Sequence, residues 1–261
     1  MVRRAELHAV VLLLVGATLL KLTVTGTYVR YVKAGLRPLL VAAAVVVLVV
    51  AVLSLIHAVR RRRTAHEHDS HEQDSHENDR HANDGKDEDG HGHAHGRFDV
   101  AWLLVVPMLA LLLLAPPALG SYSAARSGTA LGAARVSDLA PLPDGDPVRL
   151  SLLDYASRAV FDHGVSLGGR TMVLSGFVLP GAHGTWYLTR MVITCCAADA
   201  QPIKVGLTGA VPAGLKANDW VEVTGVFSAK TATDEVNAQT IPFVEIATSR
   251  PVPAPQEQYV S

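Results

Sequence analysis

Histidine and acidic side chains are concentrated in one stretch of this 261-residue chain, between Ala65 and Gly96. The stretch holds eight histidines and ten acidic residues, and alanine is its largest aliphatic side chain. Neutral imidazole is a preferred ligand of zinc, copper and nickel, and many imidazoles on one tether raise the local ligand concentration. The pattern predicts a segment that binds zinc or another divalent transition metal. The predicted ligands are His66, His68, His71, His76, His81, His91, His93 and His95.

The same stretch is too polar to bury a hydrophobic core. We therefore expect residues 64–97 to form a disordered, His-rich and acid-rich linker between two apolar parts of the chain. A plain hydrophilic spacer, whose histidines have no function of their own, is the alternative interpretation.

The two cysteines of the chain are adjacent, Cys195 and Cys196, in the segment ITCCAADAQP. Neighbouring side chains of a regular strand point to opposite faces, so both thiols reach one ion only if a turn or bulge intervenes. Asp199 is the third predicted metal ligand, although an Asx turn would use its carboxylate equally well. Three interpretations of the cysteine pair stay open: small buried hydrophobes, thiolate ligands of a metal, or a redox pair.

Other parts of the sequence contribute less chemistry. His163 and His183 are isolated histidines that either complete a Cys/His/Asp site or lie solvated in loops. The sequence has no Gly-rich phosphate loop, no recognisable Ser/His/Asp set and no paired-carboxylate motif, so we do not expect an enzyme. A formal net charge of −1, without a long basic run, gives no reason to expect a nucleic-acid partner.

Three apolar segments predict three transmembrane helices, at about residues 7–25, 38–58 and 98–120. Each segment is near the roughly 20 residues that a helix needs to cross the hydrocarbon core of the bilayer. The first segment could instead be a cleaved signal peptide, but it lacks the small-residue cleavage pattern, which favours an uncleaved helix. The lipid bilayer is therefore the first predicted partner.

Arginine clusters predict the orientation of these helices. Arg3 and Arg4 precede the first helix, and four arginines at 60–63 follow the second. The positive-inside rule then places the N-terminus and the His-rich linker in the cytoplasm, and an odd number of crossings places the chain beyond residue 120 outside. The prediction is a multi-pass protein of the cell membrane with an extracytoplasmic C-terminal domain.

The C-terminal half changes to the residue pattern of β-structure. A Pro/Gly/Ala/Ser-rich stretch at 121–149 predicts a flexible stalk, and Ser151 is the expected N-cap of a short amphipathic helix. Five runs rich in Val, Ile, Thr and aromatic residues predict a small OB-like β-barrel within residues 150–250, with Gly176 and Gly225 at its bends. Residues 251–261 are predicted to be a surface or disordered tail. The predicted strands are 170–179, 185–194, 202–208, 220–227 and 239–247.

The fold class is thus membrane α plus all-β. The C-terminal half carries the motifs VLSGFV, LTRMVITCCAADAQPIKV and DWVEVTGVF. With the preceding order of helices and His-rich linker, these motifs resemble the bacterial YcgQ-type permease-subunit family, and the resemblance covers nearly the whole chain. Its most specific part is RMVITCCAADAQP, and the family's dicysteine segment corresponds here to Cys195, Cys196 and Asp199. The resemblance implies an accessory membrane subunit that works beside a separate multi-helix permease, with links to zinc-responsive regulation in some bacteria. It implies no catalytic mechanism.

Two other functions compete with this expectation. One is an extracytoplasmic binding or assembly module of the cell envelope, whose barrel holds another protein and whose histidines are incidental. The other is a thiol oxidoreductase that uses Cys195 and Cys196, although the pair lacks the two-residue spacer usual in redox motifs.

Overall fold

A computed structural model describes residues 2–68, 102–114, 116–131 and 139–260 of the chain. These residues form two compact units. The first comprises Met1–Thr25 and Pro38–Pro116, and the second comprises Gly26–Arg37 and Pro117–Ser261. The described part of the first unit is helical, and the second is built on one β-sheet.

The first unit contains three helices: α1 (Val2–Val24), α2 (Arg37–His68) and α3 (Trp102–Leu113). Among the described residues, one span, Ala34–Arg60, is long and apolar enough to cross a membrane, and His8–Val24 is a shorter apolar helix. The 12 residues of α3 extend about 18 Å, less than the roughly 30 Å of a hydrocarbon core. Among the described residues, one of the three predicted transmembrane helices thus meets the requirements of length and composition, and the other two stay predictions.

In the described part of α2, the buried side chains are small. Ala44 and Ala51 of α2 are fully buried, whereas Val46 and Leu53 are 61% and 60% exposed. Gly16 of α1 lies so near α2 that a Cβ there would come within 2.7 Å of the Leu48 side chain. Small residues at helix contacts and large apolar residues outside are typical of helices that pack within lipid.

The Lys21 ammonium makes a polar contact in the same unit. It donates a hydrogen bond to the carbonyl oxygen of Leu112 in the last turn of α3. The last carbonyls of a helix have no partner within the helix, so a lysine there satisfies one of them and interacts favourably with the helix dipole. This contact holds α1 against α3.

The five predicted strands of the second unit are confirmed, with their ends shifted by a few residues. The two later strands are longer than predicted and form the most extensive pairing of the sheet. These strands are β2 (Met172–Pro180), β3 (Trp186–Val192), β4 (Gln201–Gly209), β5 (Trp220–Thr233) and β6 (Thr240–Pro251), preceded by the two-residue β1 (Val148–Arg149).

The sheet closes on itself in a barrel-like arrangement. Strand β2 pairs antiparallel with both β3 and β5, β5 pairs antiparallel with β6, and β3 pairs antiparallel with β4. A parallel pairing of β4 with β6 completes the circle.

Both glycines that were predicted at bends lie where strands approach closely. A Cβ at Gly176 would lie 2.5 Å from the carbonyl oxygen of Thr189, and one at Gly225 would meet the backbone of Glu245. The register between β5 and β6 also shifts at Gly225. Glycine is therefore required at these positions by backbone approach.

The predicted amphipathic helix is α5 (Leu152–Phe161), and its predicted cap is confirmed because the Ser151 hydroxyl accepts a hydrogen bond from the Asp154 N–H at 3.0 Å. Leu152 and Tyr155 pack into the barrel core, and the Tyr155 hydroxyl donates to the Phe243 carbonyl at 2.6 Å. Burial raises the pKa of Tyr155.

The stretch 121–149, predicted as a flexible stalk, makes specific contacts with the barrel at several points. Helix α4 (Ser121–Arg126) contacts β2, and Thr129 is fully buried. The Thr129 N–H donates to the Asp234 carboxylate at 2.9 Å, and β1 extends the sheet in parallel with β2. Specific hydrogen bonds thus order a segment whose composition suggested flexibility.

The predicted tail is also ordered at its end. Strand β7 (Tyr259–Val260) pairs in parallel with β3, and Tyr259 is buried. Its side chain belongs to a second apolar cluster with Phe177 and Met191. The pairing of β7 with β3 and the burial and hydrogen bonds of the Tyr259 side chain together fix the end of the tail, and the composition of the segment did not indicate them.

Candidate metal centre

The structure brings three of the predicted metal ligands together. One donor atom from each of Cys195, Cys196 and Asp199 lies within 4.8 Å of the other two. Among the described residues, these three form the cluster of potential metal ligands. The two sulfur atoms are 3.6 Å apart, and both cysteines are free thiols.

A bend at the cysteines makes this convergence feasible. Strand β3 ends at Val192, the chain bends at Thr194 and Cys195, and a 3-10 turn, Ala197–Asp199, begins immediately after Cys196. The chain therefore leaves regular strand geometry at the cysteine pair, which is the condition under which adjacent thiols can share an ion.

The Asp199 carboxylate holds this turn in place. It accepts hydrogen bonds from the backbone N–H groups of Thr194 at 3.0 Å, Cys195 at 2.8 Å and Cys196 at 3.4 Å. Asp199 therefore has the local turn-forming role that its position in the sequence suggested, and this role places its charge beside the two thiols.

Hydrogen bonds within the cluster shift the pKa values of Cys195 and Asp199 in opposite directions. A hydrogen bond to the Asp199 carboxylate, together with the neighbouring Cys196 thiol, raises the pKa of Cys195 to about 12. The same contact with Cys195 and the backbone N–H groups lower the pKa of Asp199 to about 2. At neutral pH the Cys195 thiol is protonated beside a charged carboxylate, so it is a poor nucleophile. A bound cation would replace the thiol proton and offset the negative charge.

The donor set suits a soft or borderline cation. Two thiolates favour zinc or Cu(I), and a carboxylate oxygen is an accepted third ligand of zinc. Cys195 is exposed, while Cys196 and Asp199 are half-buried. Three protein ligands leave one position of a tetrahedral site open to solvent or to another molecule.

A segment far away in the sequence completes the surroundings of the cluster. The residues Gly26–Arg37, here called the 26–37 loop, connect α1 with α2 and belong to the same compact unit as the barrel. Val32 forms an antiparallel β-bridge with Cys196. The Lys33 N–H donates to the Cys195 carbonyl at 3.0 Å, and the Tyr31 carbonyl accepts from the Ala197 N–H at 2.7 Å. Sequence reasoning missed this contact, because no local pattern records a pairing across about 160 residues.

Of the eight predicted histidine ligands in residues 64–97, two fall within the described residues. His66 and His68 lie in the last turn of α2, and those from His71 to His95 lie outside the described residues, so their metal role stays a prediction. His163 and His183 occupy turns with left-handed backbone angles, φ of 54° and 55°. Neither joins Cys195, Cys196 and Asp199 within the part of the chain that the structure describes.

Two family models match the chain: the DUF1980 N-terminal domain over residues 7–130 and the DUF1980 C-terminal domain over residues 158–261. The chain carries both domains of the DUF1980 family. The DUF1980 C-terminal domain contains the closed sheet and the whole Cys195, Cys196 and Asp199 cluster, whereas the 26–37 loop belongs to the N-terminal domain. No curated protein and no solved structure matches the chain. The resemblance to the YcgQ-type family stays a prediction.

We expect the substitution Asp199→Asn to increase the alkylation rate of Cys195 at pH 8 by about tenfold or more. Asparagine keeps an oxygen that can accept the backbone hydrogen bonds, but it replaces the charged acceptor whose hydrogen bond to the thiol raises the pKa of Cys195. A lower thiol pKa increases the thiolate fraction, and the thiolate is the species that reacts. The measurement is timed iodoacetamide labelling, read by mass spectrometry, of chains that carry Cys196→Ser so that one thiol reacts.

Asp162→Asn is the control for this experiment. The Asp162 carboxylate also caps a turn, through the N–H groups of Gly164 and Ser166, and it takes no part in the cysteine cluster. This variant should label at the parent rate. Equal rates for Asp199→Asn and its parent would show that the carboxylate does not control the thiol.

Proposed function

We propose that this protein is an accessory membrane subunit of a permease system, and that its barrel binds zinc or another soft transition-metal cation outside the cytoplasm through Cys195, Cys196 and Asp199. The observation that carries the proposal is the convergence of two sulfurs and one carboxylate within 4.8 Å at the surface of the DUF1980 C-terminal domain. Donors of this chemistry and spacing suit zinc or Cu(I).

The exposure of the site favours capture and release of metal over a structural role. Structural zinc sites are closed by four protein ligands and contribute to folding. Here the barrel has its own apolar core, in which Leu174, Leu188 and Val223 are fully buried. The domain therefore does not need a metal to close its core, and an exposed Cys195 can pass a cation to a partner.

The proposed placement in the membrane uses three crossings by α1, α2 and α3, with the N-terminus and the His-rich linker in the cytoplasm. Support comes from the second compact unit, which joins the 26–37 loop to the barrel, so both must lie on one side of the bilayer. The exposed apolar side chains of α2, such as Leu39, Val46 and Leu53, suit contact with lipid. A compartment-specific reporter fused after Ser261 tests this placement.

We also infer that the barrel is OB-like. The circular strand order β2-β3-β4-β6-β5, with its parallel β4–β6 pairing, is the five-stranded Greek-key arrangement expected of that fold. In this order the cysteine pair follows the strand that corresponds to the second strand of the barrel.

The partner in this proposal is a separate multi-helix permease. Three helices are too few to make a transporter alone, because transporters of known design use repeated multi-helix halves around a central site. The His-rich linker would then act as a weak, reversible metal buffer on the cytoplasmic side, and the barrel as a tighter site on the other.

The first test measures metal bound to a chain that lacks residues 64–97. We expect this chain, purified in detergent with reductant and offered zinc, to retain one tightly held ion after dialysis, because the barrel ligands remain. The full-length chain should bind additional zinc weakly through its histidines and lose it as the pH falls through about 6 to 7. Elemental analysis by mass spectrometry gives the stoichiometry of both chains.

The outcome of this test separates two functions. A deleted chain that stays metal-free after zinc is offered would contradict the metal site. That result would favour a binding or assembly module of the cell envelope. The full-length chain is the necessary reference, since exposed histidines alone can retain a protein on metal resin.

A further inference from the structure

The 26–37 loop pairs with the backbone on both sides of Cys196. Three consecutive residues, Tyr31 to Lys33, contact the three consecutive residues from Cys195 to Ala197 through two hydrogen bonds and a β-bridge. The contact is therefore a short strand-like pairing placed directly on the residues that carry the thiols.

The pairing restrains the cysteines from the side that Asp199 does not reach. Asp199 binds the N–H groups of Cys195 and Cys196, whereas the loop binds the Cys195 carbonyl and the Ala197 N–H. These residues lie beyond the end of β3, so the sheet ladder does not fix them. A site that is held in its binding geometry before the ligand arrives binds more tightly than one that must be ordered.

The loop is itself well anchored. Tyr28 is buried, and its hydroxyl donates to the Ala34 carbonyl at 3.2 Å. The Arg30 carbonyl accepts from the buried Tyr259 hydroxyl at 2.9 Å, and that hydroxyl accepts from the Leu119 N–H at 2.9 Å. The loop is also continuous with the two helices that flank it, since α1 ends at Val24 and α2 begins at Arg37.

We propose that the 26–37 loop positions the dicysteine turn, so that metal occupancy of the cluster is coupled to the connection between α1 and α2. This inference rests on the proposed metal site and adds a route by which the site communicates with the helices. The coupling is reciprocal: a change in the loop alters the affinity for metal, and bound metal stabilises the loop by the same free energy.

Lys33 allows a sharp test of this coupling. Its backbone angles, φ −53° and ψ 135°, are compatible with proline, so Lys33→Pro removes the N–H donor to Cys195 with little strain. Lys33→Ala is the matched control, because it also removes the ammonium but keeps the N–H. We expect Lys33→Pro to bind zinc about two- to tenfold more weakly than Lys33→Ala, the effect of one lost hydrogen bond.

The experiment uses the full chain in detergent micelles with reductant, zinc as the probe, and competition with a chromophoric chelator. A second measurement, hydrogen exchange of the wild-type chain, is independent of whether Lys33→Pro folds. We expect exchange in residues 26–37 to slow when zinc is added, while exchange within β5 and β6 stays unchanged.

The outcomes separate the two proposals. If the full chain with Cys195→Ser and Cys196→Ser binds zinc as tightly as the wild type does, the metal site and the coupling both fail. If the double variant loses the tight zinc site, but zinc does not slow exchange in the 26–37 loop of the wild type and Lys33→Pro binds like Lys33→Ala, the coupling alone is overturned.

Discussion

Replacing Cys195 and Cys196 together by serine is expected to weaken zinc binding by about a hundredfold or more, with little change in the melting temperature. Hydroxyl groups are poor ligands for soft metals, so the substitution removes two of the three donors. Cys195 is exposed and Cys196 is half-buried, so serine at these positions does not place an unsatisfied hydroxyl in the core. The measurement pairs zinc competition with thermal unfolding, in the chain that lacks residues 64–97.

The same two measurements distinguish a metal site from a pair of packing residues. A loss of about 1 to 3 kcal/mol of stability without a change in metal binding would indicate packing residues. Unchanged zinc binding in the double variant would contradict the metal site. Asp162→Asn serves again as a control that changes a capping carboxylate outside the cluster.

Asp234→Ala is expected to lower the free energy of unfolding by about 3 to 5 kcal/mol, the usual cost of leaving one partner of a buried ion pair uncompensated. The Lys204 ammonium and the Asp234 carboxylate are 2.8 Å apart, with side chains 6% and 1% exposed. The carboxylate also accepts the Thr129 N–H, and the ammonium donates to the Ser127 carbonyl. The substitution should therefore also release the segment that contains Thr129. Denaturant unfolding of the full chain measures the effect.

The Asp234 pair also predicts a pH dependence. Burial on its own raises the pKa of Asp234, but the Lys204 ammonium and the N–H groups of Val236 and Thr129 outweigh it, so the net pKa is lowered. A lowered pKa stabilises the fold above the unfolded value of about 4, and this contribution is lost as the pH falls through the folded value. Wild-type stability should fall with acid over this range more steeply than that of Asp234→Ala.

Arg250→Ala is the surface control for the buried pair. Arg250 also binds a carboxylate, that of Glu222 at 2.7 Å, but its side chain is 66% exposed. Exposed ion pairs contribute about 0 to 1 kcal/mol, so this variant should unfold nearly like the wild type. An effect of Asp234→Ala no larger than that of Arg250→Ala would show that the buried pair is not important for stability.

The barrel strands and the N-cap of helix α5 were predictable because their sequence signals are local. Alternation of β-branched and aromatic residues predicted the five barrel strands, and Ser151 predicted the start of α5 from the hydrogen bond that a serine makes three residues onward. Gly176 and Gly225 were recognisable as special positions because glycine weakens the interior of a strand, and the structure accounts for both by close backbone approach.

Composition was misleading for two segments whose order depends on contacts of a few residues. Residues 121–149 and 251–261 are rich in residues typical of flexible chains, but Thr129 and Tyr259 each find a buried partner in the barrel. An average over a segment cannot report such contacts, because the partner groups lie in strands remote in the sequence.

The candidate site was also predictable in part from the sequence and in part only from the tertiary structure. The sequence alone showed that Cys195 and Cys196 need a turn to share an ion, since strand geometry sends neighbouring side chains to opposite faces. The tertiary structure was needed to show that Asp199 forms that turn with its carboxylate beside the thiols, and that the 26–37 loop pairs with the same backbone. The pairing depends on how two remote segments meet in the folded chain, and no spacing of residues along the sequence records that.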